Sequence, residues 1–504
     1  MIYKGDREMS QLQSTEMSYR ALLAVALCGA AWAASVPHAS KMQSYDTIVI
    51  GLGSAGATAA STLARAGRRV LALEAQDRVG GRVHTVLFGD GVVELGAEWI
   101  HGTKPSRVYD AAVQNNVTVL SQQLDMMLFR SDGEQPNSAL INELLVFTLQ
   151  VVDEPPSTAQ PLGQYITQRV YDYVKEKHPS VLSDQDFIDE FLHFVDLYID
   201  NYEASTSWND VTTSSKYQEL EGDQHMSWHR HGYKTFFDIL LNKYNNGPGL
   251  PTLDIKLSTE VTRVAWSRAA DGNVTVTTAD GATYTADNVI VTVSLGVLKE
   301  RYATLFSPQL PIDKIIAINK ISMGVMDKII LSFDKPWWPM DTSFFAFIWR
   351  GDERRKVSKD DYWTTRIFGA SRPMGTGYAL TLWTSGETGI LVETLPEDLV
   401  KRKCMELLRR FMGRNVTIPE PTAILRSTWH SNPYTRGSYT YDNLISPQYP
   451  TAREDLAAPL TDSSGRPRVL FAGEATNPTH FSTVHGASET GYREAMRLLP
   501  KSKV

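Results

Sequence analysis

The fold is decided between residues 45 and 74, where the sequence reads YDTIVIGLGSAGATAASTLARAGRRVLALE. Residues 45–50 form a short apolar run that is typical of a buried strand. A glycine-rich turn leads into an Ala-rich helix, expected to run to about residue 67, and residues 69–74 predict a second strand. Strand, helix and strand in this order predict a β-α-β unit.

The turn after the first strand carries Gly51, Gly53 and Gly56 in a G-x-G-x-x-G pattern. Glycines let the backbone approach a pyrophosphate closely, and the N-terminus of the following helix supplies partial positive charge to it. Glu74 ends the second strand, where its carboxylate can accept hydrogen bonds from ribose hydroxyl groups. A glycine triplet alone is a weak signal, but strand, helix and acid in the correct order predict a dinucleotide-binding site.

A second glycine pair follows directly, in the segment AQDRVGGRVHT of residues 75–85. One interpretation is a surface turn with a solvated Arg82. The other is a second glycine-rich loop whose Arg82 reaches a pyrophosphate or the edge of a flavin. Because NAD sites seldom need this extra loop, the second interpretation favours FAD over NAD.

Composition limits the functions open to this chain of 504 residues. It is 42% hydrophobic and 10% aromatic, which excludes wholesale disorder and leaves room for two or three domains. Fifty Lys and Arg residues against 57 Asp and Glu residues give a net charge of −7, so no basic surplus supports a general nucleic-acid binder. The two cysteines, Cys28 and Cys404, exclude a disulfide scaffold and a cysteine-rich zinc site, and no metal site is predicted.

Residues 1–40 are interpreted as a leader. An apolar run at residues 21–34 follows Arg20, and residues 31–33 (AWA) have the small-x-small pattern of a signal-peptide cleavage site. A helix of this length spans roughly 21 Å, less than the roughly 30 Å of a membrane's hydrocarbon core. Counted from Met17, the leader has ordinary proportions for a secretory signal. An uncleaved anchor and a disordered arm are the alternatives.

Three N-x-S/T sequons agree with secretion, at Asn116, Asn273 and Asn415. No later stretch is long and apolar enough to span a membrane, so the mature chain is expected to have no membrane segment. Residues 501–504 (KSKV) are not a peroxisomal Ser-Lys-Leu ending. The sequence therefore predicts a secreted glycoprotein.

The strand and helix signals are distributed in a pattern that predicts two interleaved domains of α/β type, α+β overall. The dinucleotide-binding domain is expected to be Rossmann-like and built from discontinuous segments. The inserted domain is expected to hold the substrate, with a mixed sheet flanked by helices. The predicted segments are 44–105, 250–303 and 460–499 for the first domain, and 106–249 and 304–459 for the second.

A family resemblance rests on blocks that follow one another along the whole chain after the leader. Residues 48–85 resemble the start of the flavin-dependent amine oxidases, and the likeness continues in ELGAEWIHG at 94–102 and FAGEAT at 471–476. Further blocks lie at 287–298, 383–386, 429–439 and 482–487. WIHG at 99–102 and FSTVHG at 481–486 resemble the polyamine oxidase branch, of the animal spermine and acetylpolyamine type.

The resemblance implies a set of FAD-binding residues. Those expected at the ADP half are Gly51, Gly53, Ala55, Gly56, Glu74 and Arg82. Those expected beside the isoalloxazine are Gly96, Ala97, Glu98 and Trp99. Val261 would contact the adenine through its backbone, although a buried strand valine is the plain alternative, and Glu474 would contact the ribitol. Thr483 and Val484 would open the final helix, whose dipole can stabilise negative charge on the reduced flavin.

The resemblance also implies how the flavin is held and which residues are catalytic. Monoamine oxidases carry a cysteine where this chain has Ser438, so non-covalent FAD is expected. Lys328 occupies the position of a family lysine that holds a water near flavin N5, whereas a strand lysine is otherwise a solvated edge residue. Trp429 and Tyr439 would form an aromatic wall of the amine site, with core packing as the alternative.

Departures from other branches indicate the substrate class. Thr483 stands where monoamine oxidases have a second tyrosine, which points away from arylalkylamines. Glu98, Trp99 and His101 occupy a segment in which amino-acid oxidases carry an arginine for the substrate carboxylate. His101 is either a hydrogen-bond partner of the amine or an ordinary wall residue.

An acidic stretch follows the predicted helix at 188–202, with carboxylates at Glu203, Asp210, Glu219, Glu221 and Asp223. It is either a solvated loop or an acidic rim that attracts a polycation.

The predicted reaction is FAD-dependent oxidation of polyamine secondary amines (spermine, spermidine or acetylated forms) by O2, giving an aldehyde, a shorter amine and H2O2. The alternatives are a flavin oxidase of another amine or an L-amino acid, and a non-enzymatic flavoprotein.

Overall fold

The computed structural model describes residues 44–270 and 272–500. The predicted leader, with Cys28, lies outside the described residues. Described strands and helices are labelled here in chain order. The strands are β1 (Ser44–Ile50), β2 (Val70–Leu73), β3 (Thr85–Phe88), β4 (Gly91–Glu94), β5 (Trp99–Ile100), β6 (Leu120–Ser121), β7 (Met126–Arg130), β8 (Met226–Ser227), β9 (Leu253–Lys256), β10 (Val261–Ala265), β11 (Val274–Thr278), β12 (Thr283–Val291), β13 (Phe306–Ser307), β14 (Ser322–Met323), β15 (Met326–Ser332), β16 (Phe344–Ile348), β17 (Gly369–Ser371), β18 (Ala379–Ser385), β19 (Ala423–Arg426), β20 (Thr440–Tyr441), β21 (Leu460–Thr461) and β22 (Pro467–Phe471).

The described α-helices lie between these strands along the chain. They are α1 (Ser54–Arg65), α2 (Arg107–Gln114), α3 (Ser138–Asp153), α4 (Leu162–Lys177), α5 (Gln185–Glu203), α6 (Lys234–Leu240), α7 (Leu295–Leu305), α8 (Ile312–Lys320), α9 (Gly351–Arg354), α10 (Gly386–Thr394), α11 (Glu397–Met412), α12 (Ala452–Ala457) and α13 (Val484–Leu498).

A nine-stranded sheet contains the predicted β-α-β unit. Its order is β13-β10-β11-β12-β1-β2-β9, with β22 beside β12 and β21 beside β22. Strands β1 and β2 run parallel, as do β12 and β22. Ile48 and Ile50 pack into one apolar cluster and Val49 into another, because successive strand side chains point to opposite faces. Both faces are therefore covered, which explains why β1 is a continuous apolar run.

The other large sheet has six strands in the order β19-β15-β18-β17-β16-β7. It is mixed, since β16 pairs with β7 in parallel and β15 pairs with β18 and β19 in antiparallel register. Helix α11 packs on it through buried side chains such as Leu408 and Phe411. The predicted fold class is confirmed, while the exact domain boundaries stay a prediction.

Some predicted elements differ from the structure. The strand expected over 254–266 is broken into β9 and β10, because Ser258 turns the chain at a φ of 50°. Strand β15 is buried along its whole length, so Lys328 is an interior residue and not a solvated edge residue. The acidic stretch begins inside α5, since Glu203 is the last residue of that helix.

The asparagines of the three sequons, Asn116, Asn273 and Asn415, are all exposed. Cys404 is a free thiol in the core of the described chain, and burial raises its pKa to about 12. None of the described helices combines the length and apolarity needed to cross a bilayer.

Candidate active site

A large cavity, about 2150 Å³ including its opening to solvent, lies at the carboxyl ends of the parallel strands of the nine-stranded sheet. Ile50 and Glu74 line it at the ends of β1 and β2, and Thr292 and Gly473 line it just beyond β12 and β22. This edge of a parallel sheet is where open α/β folds bind ligands. Every predicted site residue except Gly56 lines the cavity.

The glycine turn leaves a space that side chains would fill. Gly51 has a φ of +93°, and Gly53 forms a parallel bridge with Gly80 of the second glycine loop. Gly53 precedes α1 and provides no side-chain cap, so the first N–H groups of that helix are available to an anion. These features fit the pyrophosphate of FAD.

Gly56 lies behind the turn instead of facing the cavity. A Cβ atom at this position would be 2.0 Å from the carbonyl oxygen of Gly51, which a side chain cannot approach so closely. The third glycine therefore permits close packing of helix against strand, and its role at the ADP half of FAD stays a prediction.

Glu74 holds the two loops of the cofactor end. Its carboxylate accepts hydrogen bonds from the backbone N–H groups of Leu52 (2.7 Å) and Gln76 (2.9 Å). Burial raises its pKa, although these bonds and Arg78 act in the opposite direction. Val261, partly buried on β10, lines the same end.

Arg82 is paired inside the protein. Its Nη1 atom donates to Glu474 Oε1 at 2.9 Å and to the carbonyl oxygen of Ser438. Burial favours a raised pKa for Glu474, but the positive charges of Arg82 and Arg453 outweigh it and the pKa is lowered. Arg82 thus joins the second glycine loop to Glu474, the residue predicted at the ribitol.

Lys328 is buried beside the cavity, and its Nζ atom donates three hydrogen bonds. The acceptors are the carbonyl oxygens of Glu94 (3.0 Å) and Gly96 (2.9 Å) and the carboxylate of Glu98 (2.7 Å). The face of Trp383 lies 4.5 Å from the same nitrogen. Sequence reasoning placed Glu98 beside the flavin but missed its pairing with Lys328.

Aromatic rings form the adjoining walls. Trp99 stacks on Trp383, with ring centroids 5.7 Å apart. Trp429 donates from Nε1 to the carbonyl oxygen of Leu95 at 3.1 Å, which holds its ring against the segment of Gly96. Both predicted aromatic wall residues, Trp429 and Tyr439, line the cavity.

His101 is neutral in its surroundings. Burial and the neighbouring His225 lower its pKa to about 4, with the bond to Gln224 acting in the opposite direction. The Nδ1 atom lies 2.7 Å from the carbonyl oxygen of Gln224. Since a carbonyl only accepts, Nδ1 carries the proton and Nε2 is left as an acceptor.

Thr483 caps the N-terminus of the final helix. Its hydroxyl accepts from the N–H of Gly486 at 3.0 Å and donates to the carbonyl oxygen of His480 at 2.7 Å, which caps α13. Val484 follows at the start of the helix and accepts from Ser54 in the glycine turn. The predicted helix start is therefore present at the cavity, and the hydroxyl of Thr483 already has partners within the protein.

Part of the cavity wall is formed by residues that sequence reasoning did not place there. These are Asn201, Tyr202, Glu203, Tyr217, His225 and Phe481. Tyr439 joins them, because its hydroxyl donates to the carbonyl oxygens of Asn201 (3.3 Å) and Tyr202 (3.2 Å). In the sequence, only the acidic character of the stretch from Glu203 indicated that this part of the chain belongs to the site.

Comparisons with known proteins agree with this geometry. The model of the family described as flavin containing amine oxidoreductase matches residues 54–499. Peroxisomal N(1)-acetyl-spermine/spermidine oxidases of Bos taurus and Homo sapiens are each 31% identical, covering 90% of this chain and 94% of the relative. Polyamine oxidase 4 of Oryza sativa subsp. japonica is 30% identical, covering 89% of this chain and 88% of the relative. A solved structure of a redesigned putrescine oxidase has a TM-score of 0.63 and 18% identity, covering 90% of this chain and 99% of that chain, and shares the fold.

Proposed function

The chain belongs to the flavin containing amine oxidoreductase family and is an FAD-dependent amine oxidase, and from this premise we propose that it oxidises the secondary amines of polyamines. The proposed substrates are spermine, spermidine and their acetylated forms. In the overall reaction, the secondary amine, one O2 and one water give an aldehyde, a shorter primary amine and H2O2. The enzymatic character of the family sets aside a purely structural flavoprotein.

The observation that carries the proposal is the charge pattern of the cavity wall. Five carboxylates line it, belonging to Glu74, Glu98, Glu203, Glu260 and Glu474. Three of them pair with the lining cations: Glu98 with Lys328, Glu260 with Arg301, and Glu474 with Arg82. Glu74 accepts backbone N–H groups at the cofactor end. Within the described residues, Glu203 alone of the five has neither an ion pair nor a side-chain hydrogen bond, and it lies close to Tyr439, whose hydroxyl donates to the carbonyl oxygen of Tyr202.

The surroundings of Glu203 favour a cationic ligand. Burial and the carboxylate of Asp442 raise its pKa to about 7, and Arg453 acts in the opposite direction. An ammonium group bound beside it would supply the missing positive charge. The rings of Tyr217 and Phe481, with centroids 5.6 Å apart, provide apolar surface for the methylene chain of a polyamine.

The cavity is poorly suited to an α-amino acid. Arg82 and Arg301 are the arginines among its described lining residues, and each is already paired with a carboxylate of the protein. An amino-acid carboxylate would need a cation of its own in this buried place. The charge pattern therefore favours an amine without a carboxylate.

The residues that line the cavity have separate roles in the proposed reaction. FAD, when bound, accepts the hydride equivalent from the carbon next to the amine nitrogen. His101 Nε2 can accept the N–H of a neutral amine, which orients that nitrogen, and Trp429 and Tyr439 exclude water from it. Glu203 would hold a distant ammonium group of the same substrate. Hydrolysis of the resulting imine gives the aldehyde and the shorter amine.

An amine panel tests the proposal. Purified holoenzyme is mixed with each amine without oxygen, and the loss of visible flavin absorbance is followed; peroxide release is then measured in air. We expect reduction and peroxide with at least one of spermine, spermidine and their acetylated forms. Reduction by one L-amino acid or one monoamine, with no response to the polyamines, would replace the proposed substrate class.

For location, we propose secretion with glycans on Asn116, Asn273 and Asn415. All three residues are exposed, so the folded protein has room for a bulky glycan on each of them. Expression of the full chain in a eukaryotic cell should place protein in the medium, and a glycosidase should lower its apparent mass. Retention in peroxisomes, without any glycan, would contradict the proposal.

A further inference from the structure

The buried pair of Lys328 and Glu98 has a hydrogen-bond arrangement that fits a charged lysine. A neutral amine has two hydrogens and an ammonium has three. Lys328 Nζ makes three hydrogen bonds, at 2.7 to 3.0 Å, to two carbonyl oxygens and one carboxyl oxygen of Glu98. When Glu98 is ionised all three oxygens can only accept, so the nitrogen is an ammonium whose three hydrogens have partners within the protein.

Glu98 has a single described hydrogen-bond partner for its carboxylate, which is Lys328. The two side chains are only 4% and 5% exposed, so water does not screen them. The ring of Trp383 covers the ammonium 4.5 Å away. A positive charge is thus placed between an anion and an aromatic face, and the carboxylate cancels most of its field.

We propose that Glu98 is a positioning residue that acts through Lys328 and sets the charge presented to the bound flavin. Lys328 on its own would place one full positive charge next to the cofactor, which favours the reduced, negatively charged flavin. The carboxylate of Glu98 offsets that charge and holds the ammonium in one position. The flavin of this protein is consequently harder to reduce than it would be beside an unpaired lysine. The inference rests on FAD binding and not on the identity of the amine.

The test is the midpoint potential of the flavin in Glu98→Gln holoenzyme, measured by reduction against a reference dye without any amine. The amide keeps an oxygen that accepts from Lys328 but removes the negative charge. We expect the potential to rise, with the ratio of reduced to oxidised flavin at a fixed ambient potential increasing roughly tenfold, or about 30 mV for a two-electron couple. Glu397→Gln, which removes an exposed carboxylate outside the cavity lining, is the matched control and should leave the potential unchanged.

A double-mutant comparison separates this role from a structural one. In a Lys328→Met background the buried carboxyl group has no cation and takes up a proton, so Glu98→Gln removes no charge there and should shift the potential by much less than it does in the wild type. An unchanged potential in Glu98→Gln, or equal shifts in both backgrounds, would overturn the proposal. If Glu98→Gln does not retain FAD, Glu98→Asp provides the readout: it keeps the charge and should keep the wild-type potential, and a positive shift there would also overturn the proposal.

Discussion

The indole rings of Trp99 and Trp383 are stacked, with centroids 5.7 Å apart and planes inclined by 13°. Trp99 belongs to the short strand β5 and Trp383 to β18 of the six-stranded sheet. Each ring is anchored at its Nε1 atom, to Gln122 at 2.7 Å and to Ser371 at 2.9 Å. The stack therefore holds in place the face of Trp383 that lies against the Lys328 ammonium.

Trp383→Leu removes this aromatic face. A desolvated cation–π contact contributes roughly 1–2 kcal/mol, so we expect flavin reduction by a saturating amine to slow about tenfold. Stopped-flow absorbance measures the rate. Trp383→Phe keeps a ring but loses the bond to Ser371, and it should retain most of the activity. Equal rates for the leucine variant and the wild type would show that the ring has no such role.

Gly56→Ala should prevent FAD binding. The added methyl group would lie 2.0 Å from the carbonyl oxygen of Gly51, so the glycine turn must deform. We expect the FAD content of the purified protein to fall to a small fraction of the wild-type value. Gly377→Ala is the matched control, because nothing lies within 4 Å of its Cβ position. A fully loaded Gly56→Ala protein would contradict this account of the turn.

Lys328→Met leaves Glu98 buried without its cation. Because removing one partner of a buried pair is strongly unfavourable and the ammonium faces the cavity, we expect flavin reduction or reoxidation to slow at least about tenfold. Lys314→Met is the control: that buried lysine also donates to three carbonyl oxygens, but away from the cavity. It should lower the melting temperature and leave the flavin kinetics unchanged. Wild-type kinetics in Lys328→Met would remove the assigned role.

Glu203→Gln should weaken polyamine binding. The amide oxygen can still accept a hydrogen bond, but the negative charge that attracts an ammonium group is lost, so we expect KM for spermine to rise roughly tenfold or more while kcat changes little. Glu397→Gln, at an exposed position outside the cavity lining, is the control for a general change of charge. An unchanged KM, or an equal loss in both variants, would show that Glu203 does not contact the substrate.

The buried carboxyl group of Asp327 should make the free energy of unfolding depend on pH. It lies behind the aromatic wall, where its carboxylate accepts from the N–H of Trp429 at 3.2 Å. Burial and the neighbouring Glu393 raise its pKa to about 8, whereas an unfolded Asp titrates near ~3.9. The folded protein therefore binds an extra proton between these values. The resulting stabilisation is complete below about pH 4, declines as the pH rises and is lost above about pH 8.

Asp327→Asn cannot ionise and mimics the protonated acid. Its urea midpoint should fall less between pH 5 and pH 8 than the wild-type midpoint does. Asp341→Asn, at an exposed position, should behave like the wild type. Parallel midpoint curves for Asp327→Asn and the wild type would show that Asp327 is already ionised in the native state.

Local sequence determined the β-α-β unit, the glycine turn and the FAD site. Gly51 and Gly53 act within a few residues of one another, so backbone conformation and the helix N-terminus follow from a short segment. The family blocks lie along the chain in order, which is why most predicted site residues line one cavity. Helix ends and strand breaks, such as the turn at Ser258, depend on packing and were placed less well.

Tertiary structure alone decided how the charged and aromatic groups of the site are paired. Lys328 meets Glu98 across 230 positions of sequence, and Trp99 meets Trp383 from another sheet. Glu203 stands at the cavity, without an ion-pair or hydrogen-bond partner for its side chain among the described residues, because α5 ends there, and Thr483 caps a helix. A pattern of neighbouring residues specifies local backbone geometry, but the charge of a buried group depends on which distant side chains share its low-dielectric surroundings.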